Sequence, residues 1–179
     1  DAGLDQTICS PTATLAANTP LIGTGTWTVI AGTGAVTSVN DPNSGVTGLT
    51  TGVNTFRWTI TNGTCTPSTD DITINVDQLP TTADAGLEQT ICNSTIATLT
   101  ANTPVFGSGA WTVLVGSGIV SNPNNENSGV TGLSLGLNSF VWSISNGTCS
   151  VSTDTVSINI LDNTTVADAG IDQSICGST

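Results

Sequence analysis

Along this chain the large apolar residues alternate with polar ones in short runs, and the runs come back. Phe56-Arg57-Trp58-Thr59-Ile60 alternates, and Phe140-Val141-Trp142-Ser143-Ile144 repeats the pattern, broken only at Val141. Ile72-Thr73-Ile74-Asn75-Val76 and Val156-Ser157-Ile158-Asn159-Ile160 do the same. A period of two gives strands with one buried and one wet face. Thr, Val and Ile fill these runs, as a pleated, half-buried surface favours. No stretch has helical spacing with caps, so essentially no helix is expected.

The pattern predicts strands at 5–9, 12–17, 25–31, 35–38, 45–49, 54–61 and 69–76, and again 84 residues later. Turn signals separate them, with Asn62-Gly63 and Asn146-Gly147 as tight hairpin turns. The breaks come about every ten residues, as in a sandwich rather than in βαβ units. The expected fold is all-β, with tandem seven-stranded immunoglobulin-like (PKD-like) β-sandwich repeats in a rod.

The repeat is also visible residue by residue. Asp1-Ala2-Gly3-Leu4-Asp5-Gln6-Thr7-Ile8-Cys9 returns at Asp84–Cys92 with Glu88 for Asp5, and again at Asp168–Cys176 with Ile171 for Leu4 and Ser174 for Thr7. One insertion, where Ser10-Pro11-Thr12 aligns with Asn93-Ser94-Thr95-Ile96, shifts the offset from 83 (84 − 1) to 84 (168 − 84). Trp27, Phe56, Trp58 and Cys65 then match Trp111, Phe140, Trp142 and Cys149. The expected domains are 1–80, 81–164, and 165–179 as the first strand of a further repeat. The linkers 76–83 and 160–167 lack Gly, so they should be extended, with Leu79 and Val166 able to tuck into a neighbouring unit.

Units this small need help beyond their cores. With Cys9 and Cys65 in one unit and Cys92 and Cys149 in the next, the expectation is one disulfide inside each unit. Each would close a loop of roughly 57 residues and contribute about 4 kcal/mol in the chain-entropy model. Cys176 would be half of a bridge whose partner lies outside this stretch. Disulfides point to an oxidising, extracellular setting. With neither His nor Cys-x-x-Cys, a zinc reading of the cysteines is unsupported.

Net charge is −12, with Arg57 the only basic side chain. Nothing could neutralise phosphate, so nucleic acid is excluded as a partner, and so is attraction to anionic membrane. No run of apolar residues is long enough to span a bilayer, so no direct membrane insertion is expected. The stretch reads as a window on a longer secreted chain.

The chain contains no His, Tyr, Met or Lys, so Ser/His/Asp and Cys/His machinery is impossible. Asp70-Asp71 is the only adjacent carboxylate pair. Strand neighbours point to opposite faces, so no enzyme is expected. Acidic residues gather near the junctions: Asp70, Asp71, Asp77, Asp84 and Glu88, then Asp154, Asp162, Asp168 and Asp172. Calcium takes such ligands, and it is the only cofactor considered, at Asp70, Asp77, Asp84, Glu88, Asp154, Asp162, Asp168 and Asp172. Against it, Asp84 and Glu88 would lie about 13 Å apart if extended, and the alternative is solvated charge. The four Trp could be sugar platforms or core; alternation in phase with Phe and Ile favours the core. Arg57 aligns with Val141 and should sit exposed on an outer face.

The phrases Ala-Asp-Ala-Gly…Gln-Thr-Ile-Cys, Thr-Trp-Thr-Val, and Gly-Val-Thr-Gly-Leu…Phe-x-Trp-x-Ile-x-Asn-Gly-Thr-Cys resemble the tandem Ig/PKD-like repeats of giant cell-surface adhesins of gliding Bacteroidetes. SprB-type gliding-motility adhesins are the best-known type. The resemblance spans nearly the whole chain. It implies a long cell-surface filament exported by the type IX secretion system, with binding heads elsewhere. Asp154-Thr155-Val156 resembles an O-glycosylation signal of that phylum, with Thr155 the acceptor. Asn62, Asn93, Asn146 and Asn163 lie in Asn-x-Thr triplets, which a bacterial source would leave unmodified.

The expected function is a structural stalk or shaft segment of a secreted repeat adhesin, serving adhesion or gliding motility. Its partners would be neighbouring repeats of the same chain, with a polysaccharide or solid surface met through other regions. The alternatives are a carbohydrate- or cell-binding module, marked by a repeated exposed aromatic pair or groove, or a subunit of an extracellular filament.

Overall fold

The computed structural model describes residues 1–174. Its regular structure is all strand. The first unit has β1 (Gln6–Ile8), β2 (Thr12–Thr14), β3 (Thr24–Ala31), β4 (Ala35–Val36), β5 (Gly45–Thr47), β6 (Gly52–Thr61) and β7 (Ser68–Val76). The second has β8 (Gln89–Cys92), β9 (Ile96–Thr98), β10 (Ser108–Val115), β11 (Ile119–Val120), β12 (Gly129–Thr131), β13 (Gly136–Ser145) and β14 (Ser152–Leu161). All fourteen lie where the alternation and turns place them. Among the described part of 165–179 there is no strand, and the remainder of that segment, Cys176 included, lies outside the described residues.

Each unit packs a four-stranded sheet on a three-stranded one. The orders are β1-β7-β6-β3 and β2-β5-β4, then β8-β14-β13-β10 and β9-β12-β11. Most neighbours are antiparallel, but β1 runs parallel to β7, with Gln6 opposite Ile74 and Ile8 opposite Val76. β8 runs parallel to β14 in the same way. The strand that opens a unit therefore ends at the same pole as the strand that closes it.

The two cores are separate. Trp27, Phe56, Trp58, Ile72 and Ile74 fill the first, and Trp111, Phe140, Trp142, Val156 and Ile158 the second. Within each, two indoles meet in a tilted pair, Trp27–Trp58 at 5.0 Å and Trp111–Trp142 at 5.1 Å between ring centroids. Such pairs add about 0.5–1.5 kcal/mol beyond burial. Room for them comes from a missing side chain. A Cβ at Gly25 would overlap the Trp58 ring, and one at Gly109 the Trp142 ring.

A buried amide closes each sandwich. Asn54 donates through Nδ2 to the carbonyls of Thr50 (3.0 Å) and Gly52 (3.1 Å), and its Oδ1 accepts from Thr33 N (2.8 Å). Asn138 donates to the carbonyls of Ser134 (2.8 Å) and Gly136 (3.2 Å) and accepts from Ser134 N (3.2 Å). Both sit in phase with the Phe-x-Trp run, so they point inward and must satisfy their own polarity.

Candidate functional site

The feature that sets this molecule apart lies between its units. Parallel pairing carries the end of β1 to the pole where β7 runs out, and Asp77 N donates to Ile8 O at 2.7 Å. Cys9 therefore faces the second unit. Cys65 lies just before β7, at the opposite pole. The nine residues of β7 separate the poles by about 27–30 Å. Bridged cysteines need Cα atoms within about 7 Å, so Cys9 and Cys65 are not bonded. Cys9 is instead bonded to Cys149, at a Cα–Cα distance of 4.9 Å and a sequence separation of 140. The expected pairs Cys9–Cys65 and Cys92–Cys149 are both replaced by one bridge between units. Cys65 and Cys92 are unpaired among the described residues and exposed.

Polar contacts surround the bridge. Cys149 belongs to the turn after β13, where its N–H donates to Asn146 O (3.1 Å). In the same turn Thr148 donates to Asp77 Oδ2 through N (2.7 Å) and Oγ1 (3.0 Å). Asn146 Nδ2 donates to Gln78 O at 2.7 Å. Gly147 lets the carboxylate in, because a Cβ there would collide with Asp77. Charge-assisted bonds of this kind are about twice as strong as neutral ones.

From there the linker is strapped to the second unit. Thr81 Oγ1 accepts from Val105 N and Phe106 N, both at 2.9 Å, and Thr81 N donates to Phe106 O at 3.0 Å. Asn102 Nδ2 donates to Thr82 O at 2.8 Å, and Ala83 N donates to Ser152 Oγ at 2.9 Å. Ala83 and Ala85 enter the second core. Leu79, expected to tuck in, does not: it is 62% exposed, while the smaller alanines fit the narrow edge of the sandwich.

The structure gives the junction acids separate tasks. Asp70 Oδ2 accepts from Ala2 N, and Asp154 Oδ2 from Ala85 N, each at 2.7 Å. Asp1, Asp84 and Asp168 each accept from the glycine N–H two residues on, at 2.8–2.9 Å. Asp77 holds the joint. Asp162 accepts from Asn163 N (2.7 Å). Among the described residues no three carboxylates or thiolates gather where they could hold a metal ion. The calcium set Asp70, Asp77, Asp84, Glu88, Asp154, Asp162, Asp168 and Asp172 is thus dispersed. Six of the eight, Asp70, Asp77, Asp84, Asp154, Asp162 and Asp168, already accept hydrogen bonds.

Arg57 is exposed in part and makes a two-pronged contact with Asp71 across β6 and β7, Nε–Oδ1 at 2.7 Å and Nη2–Oδ2 at 2.8 Å. Those hydrogen bonds hold the Asp71 carboxyl below the usual range and raise Arg57 further. Asp70 and Asp71 face opposite ways, as strand neighbours must. Thr155 is exposed on β14 while its neighbour Asp154 is engaged. All four Trp are buried, so none offers a stacking platform.

No family model matches the chain, and it matches no curated protein. Solved structures that it resembles include the titin domains I67–I69, a three-Ig structure of an E-to-A variant. That match has a TM-score of 0.51 at 10% identity and covers 90% of this chain and 64% of that one. The fold is immunoglobulin-like. Rst D1-D2 aligns at a TM-score of 0.51 and 10% identity, over 89% of this chain and 97% of its own. The PKD domain from the KIAA 1837 protein aligns at 0.42 and 20% identity, over 49% and 92%.

Proposed function

We propose that this chain is a load-bearing stalk segment of a secreted, cell-surface repeat adhesin. One observation carries the reading: the disulfide joins two successive units instead of closing either. A bridge within a unit would stabilise that unit. A bridge between units fixes their spacing and direction, which serves a spacer. It also points to an oxidising compartment outside the cell. The buried Trp pairs argue against a sugar-stacking module. Gliding motility and type IX export stay with the repeat resemblance, and so does display of binding heads elsewhere.

Pulling single molecules by their ends tests the reading. In the oxidised chain the stretch from Cys9 to Cys149 is shielded from extension. Reductant should release about 480 Å of extra length, from 140 residues at ~3.4 Å each. Equal extension with and without reductant would refute a load-bearing role for the bridge.

A further inference from the structure

Most parts of the joint have a copy at the far ends of the pair. The face of unit two that receives the linker comprises Val105, Phe106, the Asn146–Thr148 turn and Cys149. Its equivalents in unit one are Leu21, Ile22, Asn62–Thr64 and Cys65. The turn is the same, with Cys65 N donating to Asn62 O at 3.1 Å. Here the face is bare: Cys65 is exposed where Cys149 is 6% exposed, and Leu21 and Ile22 are 102% and 74% exposed where Val105 and Phe106 are 78% and 49%.

The other half of the joint recurs at the far pole of unit two. Cys92 ends β8 beside Leu161 of β14, as Cys9 ends its run beside Asp77. A cleft of about 280 Å³ lies next to Cys9, lined by Pro11, Leu49, Val76 and Leu79. Its counterpart of about 200 Å³, lined by Asn93, Leu133, Leu135 and Ile160, lies next to Cys92. Leu135 and Leu161 are exposed there.

We infer that Cys92 and Cys65 are the two halves of a further inter-unit bridge, and that each bare face docks another repeat of this same kind. The occupant follows from continuity: the joint already present needs one face of each type, and each unit presents both. A second copy of this chain, set head to tail, would bring its Cys65 to Cys92 of the first. One difference is specific: Leu161 stands where Asp77 stands, so the clamp on the turn threonine is not repeated at that position.

The consequence is an interlocked ladder. Bridges of span 140 at a repeat of 84 overlap, so the covalent path under tension skips most of the chain. This inference rests on the bridge geometry alone and does not need the stalk reading.

The test uses the full chain carrying C176S in a thiol–disulfide buffer at high protein concentration. It should form a ladder of reducible multimers. An equimolar mixture of C65S and C92S variants in that background should stop at a dimer whose only intermolecular link is Cys92 to Cys65. Each variant alone should stay monomeric. Adding N62A to the C92S partner should cut dimer yield about fivefold, since Asn62 is the equivalent of Asn146, which donates to Gln78 O in the joint already present. Overturning results would be no dimer in the mixture, dimers of either variant alone, or a yield indifferent to N62A.

Discussion

Cys149 and Cys65 occupy the same turn in successive units, yet one is bonded and almost wholly buried and the other stands exposed. The turns themselves are alike. The difference is the neighbour: Cys149 has a preceding unit whose β1 ends against it, and Cys65 has none among the described residues. Inside, the units hardly differ, since Trp pair, inward Asn and clamping Asp recur position by position. The interior of a repeat is self-sufficient, while its poles are complementary halves. A surface feature that looks unfinished in one copy is read correctly only beside the other.

The largest effect should come from breaking one interior and sparing the other. Trp142→Ala should cost about 3–5 kcal/mol and unfold only the second unit, and Trp58→Ala only the first. Denaturation followed by fluorescence of the remaining Trp pair checks the independence; a single merged transition would contradict it. Gly25→Ala and Gly109→Ala should be comparably harmful, since the added methyl meets the indole ring.

Asn54→Ala or Asn138→Ala should cost about 1–3 kcal/mol in its own unit, because buried partners lose their bonds. Equal losses in urea titrations would sharpen the equivalence of the two interiors. Asp77→Ala acts on the joint instead. It should cost about 1–2 kcal/mol there, read as faster hydrogen exchange at the Thr148 amide with both cores unchanged. Unchanged exchange would show that the clamp is idle.

Arg57→Val makes unit one resemble unit two, and the effect should be the smallest, a slight loss in melting temperature, because the pair is solvent-exposed. Its pH dependence has a fixed sign. The folded state holds the Asp71 carboxyl low, so the pair's contribution is present above the ordinary carboxylate pKa, about 4. It disappears as pH falls through the lower folded value. Wild type and Arg57→Val should therefore converge on acidification.

The strands, turns and core were legible because alternation in Phe56–Ile60 and Val156–Ile160 is a local signal, and the repeat doubled it. The cysteine pairing was not. Choosing Cys9–Cys65 assumed that cysteines of one unit share one core. Cys65 follows the Asn62-Gly63 turn, and Cys9 comes after Ile8 at the end of the Gln6–Ile8 run, so both sit at poles, out of phase with the buried positions. That placement was the available clue. What periodicity could not supply was the parallel β1–β7 pairing, which decides which pole each cysteine faces. The tasks of the junction carboxylates were hidden for a related reason: closeness in sequence at a turn leaves open which backbone N–H groups each side chain serves.

Disulfide mapping of the unreduced chain tests the central claim most directly. Cleavage on the N-terminal side of aspartates places Cys9 in residues 5–40, Cys65 in 41–69, and Cys92 with Cys149 in 84–153. In the monomer, a bridge between units predicts that 5–40 and 84–153 travel together until reduced, with 41–69 released. Finding 5–40 joined to 41–69 would contradict it.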